Sequence, residues 1–302
     1  MNRPIYVFTG FLDSGKSSSI KKVLYDPNFT EAEKTLIICF EEGDVEFEDE
    51  FLKMTNSFVE YLDFGDFSSD IINKLDKKYK PDRLFIEMNG MDDDNKLFSM
   101  QLPNGWEFAQ VLCFFDASKF KLYVTNMPQF VYNHISVSEV IVLNRYENQD
   151  IRYLRTNIKS MNQRIVINLE DAEGNVTEPP TENLFDMNNL EISDEDYGLF
   201  YLDVLDNFPR YKDRRLGFKG FLLQQEKGAN IFGRYAMVCC ANDLQRLAIR
   251  VTGVDKPLEL GAYYHVEGTL RVEREGGGFR LFVQGENVNL IDGPKEEFVN
   301  FN

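Results

Sequence analysis

A chain of 302 residues, 43% of them apolar, is long enough for one large or two ordinary cores. It carries 33 Lys+Arg against 50 Asp+Glu, and because residues 197–302 hold 14 of each sign, the whole net charge of −17 falls in residues 1–196. Such a surface repels nucleic-acid phosphates and anionic membranes, no apolar run reaches the ~20 residues of a membrane helix, and four cysteines without a C-x-x-C pair make no disulfide framework. These features predict a cytoplasmic protein with neither a nucleic-acid partner nor membrane insertion, and with a phosphate loop rather than a cleaved signal in its first residues.

The first predicted strand, Ile5–Thr9, runs into Gly10-Phe11-Leu12-Asp13-Ser14-Gly15-Lys16-Ser17. This is a complete Walker A phosphate loop in the strand–loop–helix context the motif needs. Gly10 and Gly15 allow the tight turn that points successive N–H groups at phosphate oxygens. The predicted helix Lys16–Tyr25 offers its positive N-terminal end to the same anion. Lys16 is expected to reach the β- and γ-phosphates and Ser17 to ligate Mg²⁺. Asp13, Ser14 and Ser18 complete the expected nucleotide-contacting set.

Further strands are predicted at Thr35–Phe40, Phe58–Leu62, Arg83–Met88, Val111–Asp116, Val140–Asn144 and Arg164–Ile167, with helices at Asp66–Lys78, Ser118–Asn126 and Asp150–Met161. Continuous apolar runs suit strands buried on both faces. Their alternation with helices predicts an α/β domain over residues 1–170, a doubly wound, mostly parallel sheet of the P-loop NTPase kind with nucleotide at the strands' carboxyl ends. Residues 171–196, polar and containing Pro179-Pro180, predict a linker. Extended runs then follow: Gly217–Leu223, Arg234–Cys240, Arg246–Val251, Ala262–Val272 and Phe279–Val283. They predict a small antiparallel β-rich domain over residues 197–302, of OB-like form.

Two strand ends carry more chemistry. Leu84–Gly90 is an apolar strand closing in Glu-x-x-Gly. Glu87 there is placed to hold Mg²⁺ through water, as a Walker B acid does, and the Gly90 N–H to meet the γ-phosphate without steric obstruction. Val140–Glu147 ends in Asn-Arg-x-Glu, which resembles the Asn-Lys-x-Asp guanine motif. Asn144 would buttress the loop, the stem of Arg145 would lie over the base, and Glu147 would accept from its N1–H and exocyclic amine.

In this order the motifs resemble the CobW/HypB/UreG group of P-loop GTPases over roughly residues 4–168. Phe114-Phe115-Asp116-Ala117 is similar to the strand that ends in Val-Asp-Ala in CobW proteins, and Phe40-Glu41-Glu42-Gly43 stands where they carry Asn-Glu-x-Gly. The likeness is to shorter CobW-like proteins, and Met237–Asp243 resembles their C-terminal region. The resemblance implies Mg²⁺-dependent hydrolysis of GTP to GDP and phosphate, with Lys16, Glu41 and Glu87 as the catalytic set and Glu41 orienting water or sensing metal. It also implies coupling to metal delivery, a metallochaperone role with a client metalloprotein or metal transporter as partner. Against that coupling, Leu62–Asp66 lacks the Cys-x-Cys-Cys of CobW metallochaperones.

Other residues have two readings. The acidic run from Glu41 to Glu50 is a solvated face or a transient cation site. Cys39, Glu41 and Glu42 form a site for Zn²⁺ or another transition metal, or Cys39 is an ordinary buried thiol. Cys239 and Cys240, adjacent on a strand, face opposite ways and cannot share one ion. His134 and His265 lack ligand spacing and have structural roles as the default. Two functions of other classes compete with the GTPase: a nucleotide-dependent interaction protein with slow hydrolysis, and a P-loop small-molecule kinase, which needs neither Asn144 nor Glu147.

Overall fold

The structure, a computed structural model, describes residues 2–30, 33–41, 43, 45–180, 184–237, 244–275 and 278–299. The chain divides into two compact units, Met1–Pro179 and Pro180–Asn302.

The first unit runs β1 (Arg3–Thr9), α1 (Lys16–Tyr25), α2 (Pro27–Thr30), β2 (Thr35–Cys39), α3 (Asp49–Met54), β3 (Ser57–Tyr61), a 3₁₀ turn (Phe64–Asp66), α4 (Ser69–Tyr79), β4 (Arg83–Glu87), α5 (Asp94–Ser99), β5 (Trp106–Asp116), α6 (Ala117–Asn126), α7 (Pro128–Ser136), β6 (Val140–Asn144), α8 (Ile151–Met161), β7 (Val166–Glu170) and β8 (Val176–Thr177). Among the described residues these strands make an eight-stranded sheet in the order β3-β2-β4-β1-β5-β6-β7-β8. Every pairing is parallel except the last, β7 with β8. All of β2 and β4 is buried, because side chains alternate into cores on both faces. Ile5, Val7, Leu36, Ile38, Leu84 and Ile86 enter one core. Phe8, Ile37, Cys39 and Phe85 enter the other.

This register positions the site. Glu87 lies beside Phe8 of β1 and Cys39 of β2, and Asp116 lies beside Asn144. The chain leaves β1, passes β4 and continues in β2, so the crevice at the carboxyl end of β1 is a topological switch point.

The predicted strand Arg164–Ile167 starts later, at Val166, because Asn162 holds a turn there: its Oδ1 accepts from the Arg164 N–H at 3.1 Å and its Nδ2 donates to the Ser138 carbonyl at 2.8 Å. The helix predicted from Asp66 begins at Ser69, since Asp63 accepts from the Gly65 N–H at 2.7 Å and closes the 3₁₀ turn first.

The second unit comprises β9 (Leu190–Glu191), α9 (Tyr197–Asp206), α10 (Phe208–Tyr211), β10 (Arg215–Glu226), β11 (Ala229–Met237), β12 (Leu244–Thr252), β13 (Tyr263–Glu275), β14 (Gly278–Leu290) and β15 (Phe298–Val299). Strands β10, β11, β12, β14 and β13 close into a five-membered ring, because β10 pairs with both β11 and β13. Within the ring, β12 and β14 are parallel and the other pairings antiparallel. A Greek-key ring of five strands is the OB-like form the sequence predicts. The run of strands is preceded by two helices that the sequence reading does not contain. They enter the barrel core through Tyr197, Phe200, Val204 and Tyr211. The segment expected as a linker contributes β8 to the first sheet and β9, parallel to β10, to the second.

Candidate functional site

The phosphate loop takes its shape from backbone that side chains rarely adopt. Gly10 has φ 125° and Gly15 φ 100°. A Cβ on Gly10 would lie 2.1 Å from the Phe114 carbonyl oxygen, so the close approach of loop to β5 requires glycine. Gly15 is the N-cap of α1 and offers no side chain to its free N–H groups, which leaves that helix end open to an anion. Asp13 is exposed at φ 59°, Ser14 is buried with no partner for its Oγ among the described residues, and Ser18 is exposed.

Lys16 is only 3% exposed. Its Nζ donates to the carbonyls of Gly10 and Phe11 at 2.9 and 3.0 Å and to Glu41 Oε2 at 2.8 Å. A buried ammonium requires acceptors, and here Glu41 supplies the anionic one. Ser17 Oγ donates to Glu87 Oε1 at 2.6 Å, and the Cys39 thiol donates to Glu87 Oε2 at 3.7 Å. Burial pushes the Glu87 carboxyl up, against the Ser17 hydrogen bond and the Lys16 charge, which pull it down. Burial likewise pushes the Cys39 thiol well up, and the Glu87 charge adds to it. The Ser17–Glu87 pair is a hard-oxygen donor set that fits Mg²⁺, and a cation there would offset the cost of keeping Glu87 charged.

Asn144 Nδ2 donates to the Ser14 carbonyl at 2.7 Å and thus buttresses the loop. Arg145, at φ 53°, donates through one terminal nitrogen to Asp116 Oδ2 at 3.0 Å and lies 3.3 Å from the Asp13 carbonyl. Asp116 caps α6 by accepting from the Ser118 N–H at 3.0 Å, and Lys119 Nζ lies 3.6 Å from it. Burial raises the Asp116 carboxyl, but Ser118 and Arg145 outweigh this and leave it below the usual carboxylate range. Lys16, Ser17, Ser18, Glu41, Asp116 and Arg145 are among the residues lining a cavity of about 540 Å³. A neighbouring cavity of about 380 Å³ touches Cys39, Tyr61 and Glu87. Glu147 is exposed and lines neither.

Gly90 packs against the loop: a Cβ there would sit 2.6 Å from Phe11 Cα and 2.9 Å from the Gly10 carbonyl oxygen. Glycine is therefore required at this position by the phosphate loop itself, in addition to any phosphate contact. Glu42 lies outside the described residues, as do Cys239 and Cys240. Among the described residues no three His, Cys, Asp or Glu side chains are grouped as a ligand set for a transition metal. Asp116 and Lys119 belong to the cavity and are not among the predicted site residues. The pattern of a strand ending in Asp followed by Ala-Ser, an N-cap signature, points to Asp116. No local signal points to Lys119.

A family model of the CobW/HypB/UreG nucleotide-binding domain matches residues 4–168. The chain belongs to the CobW/HypB/UreG family. Residues 167–299 match the DUF1980 C-terminal domain. No curated protein matches the chain in sequence. Among solved structures, this CobW-family chain is similar to Zn(II)-bound YjiA GTPase from E. coli, at 17% identity and TM-score 0.46 over 85% of this chain and 92% of that one. It is also similar to the hydrogenase maturation factor HypB from Archaeoglobus fulgidus, at 16% identity and TM-score 0.42 over 57% of this chain and 82% of that one. No described helix is long and apolar enough to cross a membrane.

Proposed function

We propose that the first unit binds GTP with Mg²⁺ and hydrolyses it to GDP and phosphate. The observation that carries this reading is Lys16: a buried ammonium held at the neck of a glycine cradle, one residue before a hydroxyl paired with a buried carboxylate. Positioning and charge neutralisation supply most of the catalysis in such sites. Lys16 exchanges Glu41 for phosphate oxygens, and the open N-terminus of α1 accepts the rest of the charge. Ser17 and Glu87 would hold Mg²⁺, which when bound neutralises charge on the phosphates. Glu41, released from Lys16, is then placed to orient the attacking water. Asn144 keeps the loop in shape, while Arg145 and Glu147 address the base.

Family membership supports coupling of turnover to metal delivery, with a metalloprotein or transporter as client. Cys39, beside Glu87, is a soft donor lining the same cavity as Ser17 and Glu41. The testing experiment is phosphate release from GTP and from ATP by wild type and Lys16→Ala. GTP-selective release that Lys16→Ala abolishes is the expected result. Tight binding without turnover would favour an interaction protein, and ATP preference with transfer to an acceptor would favour a kinase.

A further inference from the structure

Behind the phosphate loop lies a polar cluster that the reading above does not use. His134 of α7, Asp94 at the start of α5 and Thr9 at the end of β1 are each 0% exposed. Thr9 Oγ donates to Asp94 Oδ2 at 2.6 Å, and His134 Nδ1 lies 2.7 Å from the same oxygen and 2.8 Å from the Thr9 hydroxyl. The other ring nitrogen, Nε2, lies 3.1 Å from the Gly90 carbonyl oxygen. A carbonyl only accepts, so Nε2 donates to it, while Nδ1 faces the Asp94 carboxylate and the Thr9 hydroxyl. The ring also meets Phe11 of the phosphate loop edge-on, with centroids 5.3 Å apart.

The Gly90–Met91 peptide is thereby held from both sides. His134 takes its carbonyl, and Asn89 Oδ1 accepts its N–H, through Met91, at 2.9 Å. The Gly90 N–H, on the preceding peptide, makes no hydrogen bond among the described residues. With Gly90 pressed against Phe11 Cα, rotation of this turn would move a group directly beside the phosphate loop. A polar ring buried to this extent needs hydrogen-bond partners, and its Nε2 contact joins it to Gly90, which packs against the loop backbone.

We propose that His134 is a positioning residue for the nucleotide reaction. By fixing the Gly90 carbonyl it sets the turn after β4 so that the Gly90 N–H faces the terminal phosphate, and Asp94 and Thr9 hold the ring in that orientation. This rests on the reading of the site as a nucleoside-triphosphate site. Its signature is discrimination between triphosphate and diphosphate, because the turn addresses only the terminal phosphate while Lys16 and the loop address both.

The test compares His134→Gln with His134→Asn in the full chain. The Gln amide nitrogen reaches as far as Nε2, whereas the Asn amide reaches only as far as Nδ1. Three quantities are read: kcat for GTP, and the affinities for GDP and for a non-hydrolysable GTP analogue. His134→Asn should lose about tenfold in kcat and in preference for the analogue over GDP, as expected for one buried hydrogen bond, with GDP affinity unchanged. His134→Gln should recover most of that loss. Asn89→Ala, at a partly exposed position, releases the other end of the same peptide and should show the same selective loss. It keeps the test open should a His134 variant fail to fold. Wild-type discrimination in His134→Asn or in Asn89→Ala overturns the proposal. So does a parallel fall in GDP affinity in both His134 variants, which marks a packing role. Wild-type protein that binds no guanine nucleotide overturns the functional reading beneath it, a result distinct from a silent His134→Asn.

Discussion

Glu41→Gln should tighten nucleotide binding while slowing turnover. All three Nζ donors of Lys16 are used within the protein, and Glu41 Oε2 at 2.8 Å is the one anionic partner among the described residues. A phosphate oxygen has to displace it. At this separation the attraction of unit charges is about 6 kcal/mol at an effective dielectric of 20, most of it cancelled by hydration of the separated groups. The net worth of a hydrogen bond to a charged group is about 1.5–3 kcal/mol against about 0.5–1.5 for a neutral one. Gln keeps an acceptor oxygen and removes the charge, so displacement becomes easier by about 1–1.5 kcal/mol, or roughly five- to tenfold in affinity. Calorimetry with GDP in the absence of Mg²⁺ isolates this effect, since neither metal nor attacking water takes part. GTP turnover should fall in the same variant. GDP affinity unchanged or weakened in Glu41→Gln would refute the idea that Glu41 competes with phosphate for Lys16.

Three further expectations follow from the site. If Glu147 accepts from guanine, wild type prefers GTP to ATP, and Glu147→Gln erodes that preference by about 1.5–3 kcal/mol, tenfold or more in relative affinity, measurable by competition titration. Burial raises the Glu87 carboxyl above 4.5, so its contribution to stability is present below that pH and lost as pH rises through the folded value. Glu87→Gln should therefore raise Tm at neutral pH, lose that advantage as pH falls toward 4.5, and abolish Mg²⁺-dependent turnover; an equal Tm difference at both pH values would contradict the assignment. Burial keeps Cys39 a neutral thiol, so zinc binding by the nucleotide-free protein should be weak, rise with a non-hydrolysable GTP analogue, and fall in Cys39→Ser. A tight zinc site untouched by Cys39→Ser would place the ligands elsewhere.

The parts of this fold legible in the sequence are those whose signal is local and continuous. Thr35–Cys39, Arg83–Glu87 and Val140–Asn144 are apolar runs because they are buried on two faces, and the phosphate loop carries its glycines where positive φ or close approach demands them. The short helices α5 and α7 are not in the sequence reading, although Asp93 and Pro128 are ordinary start signals; six and nine residues hold too few turns for periodicity to show. The helix α9 is apolar over most of its surface and packs into the barrel core through Tyr197, Phe200 and Val204, which hides its amphipathic period. Within the site, Lys16, Ser17 and Glu87 follow from motif spacing. The Arg145–Asp116 pair spans 29 residues and the His134–Gly90 contact 44, and each depends on which strands are neighbours. Strand order is a property of the whole sheet, so no window of sequence carries it.

The most direct test of nucleotide binding at the phosphate loop is a calorimetric titration of wild type and Lys16→Ala with GTP, Mg²⁺ present, under identical conditions. Wild type should show one GTP site per chain, strongly weakened in a folded Lys16→Ala variant because the only side-chain cation buried in the loop is gone. Equal GTP affinity in both proteins, or no binding by wild type, would contradict nucleotide binding at this loop.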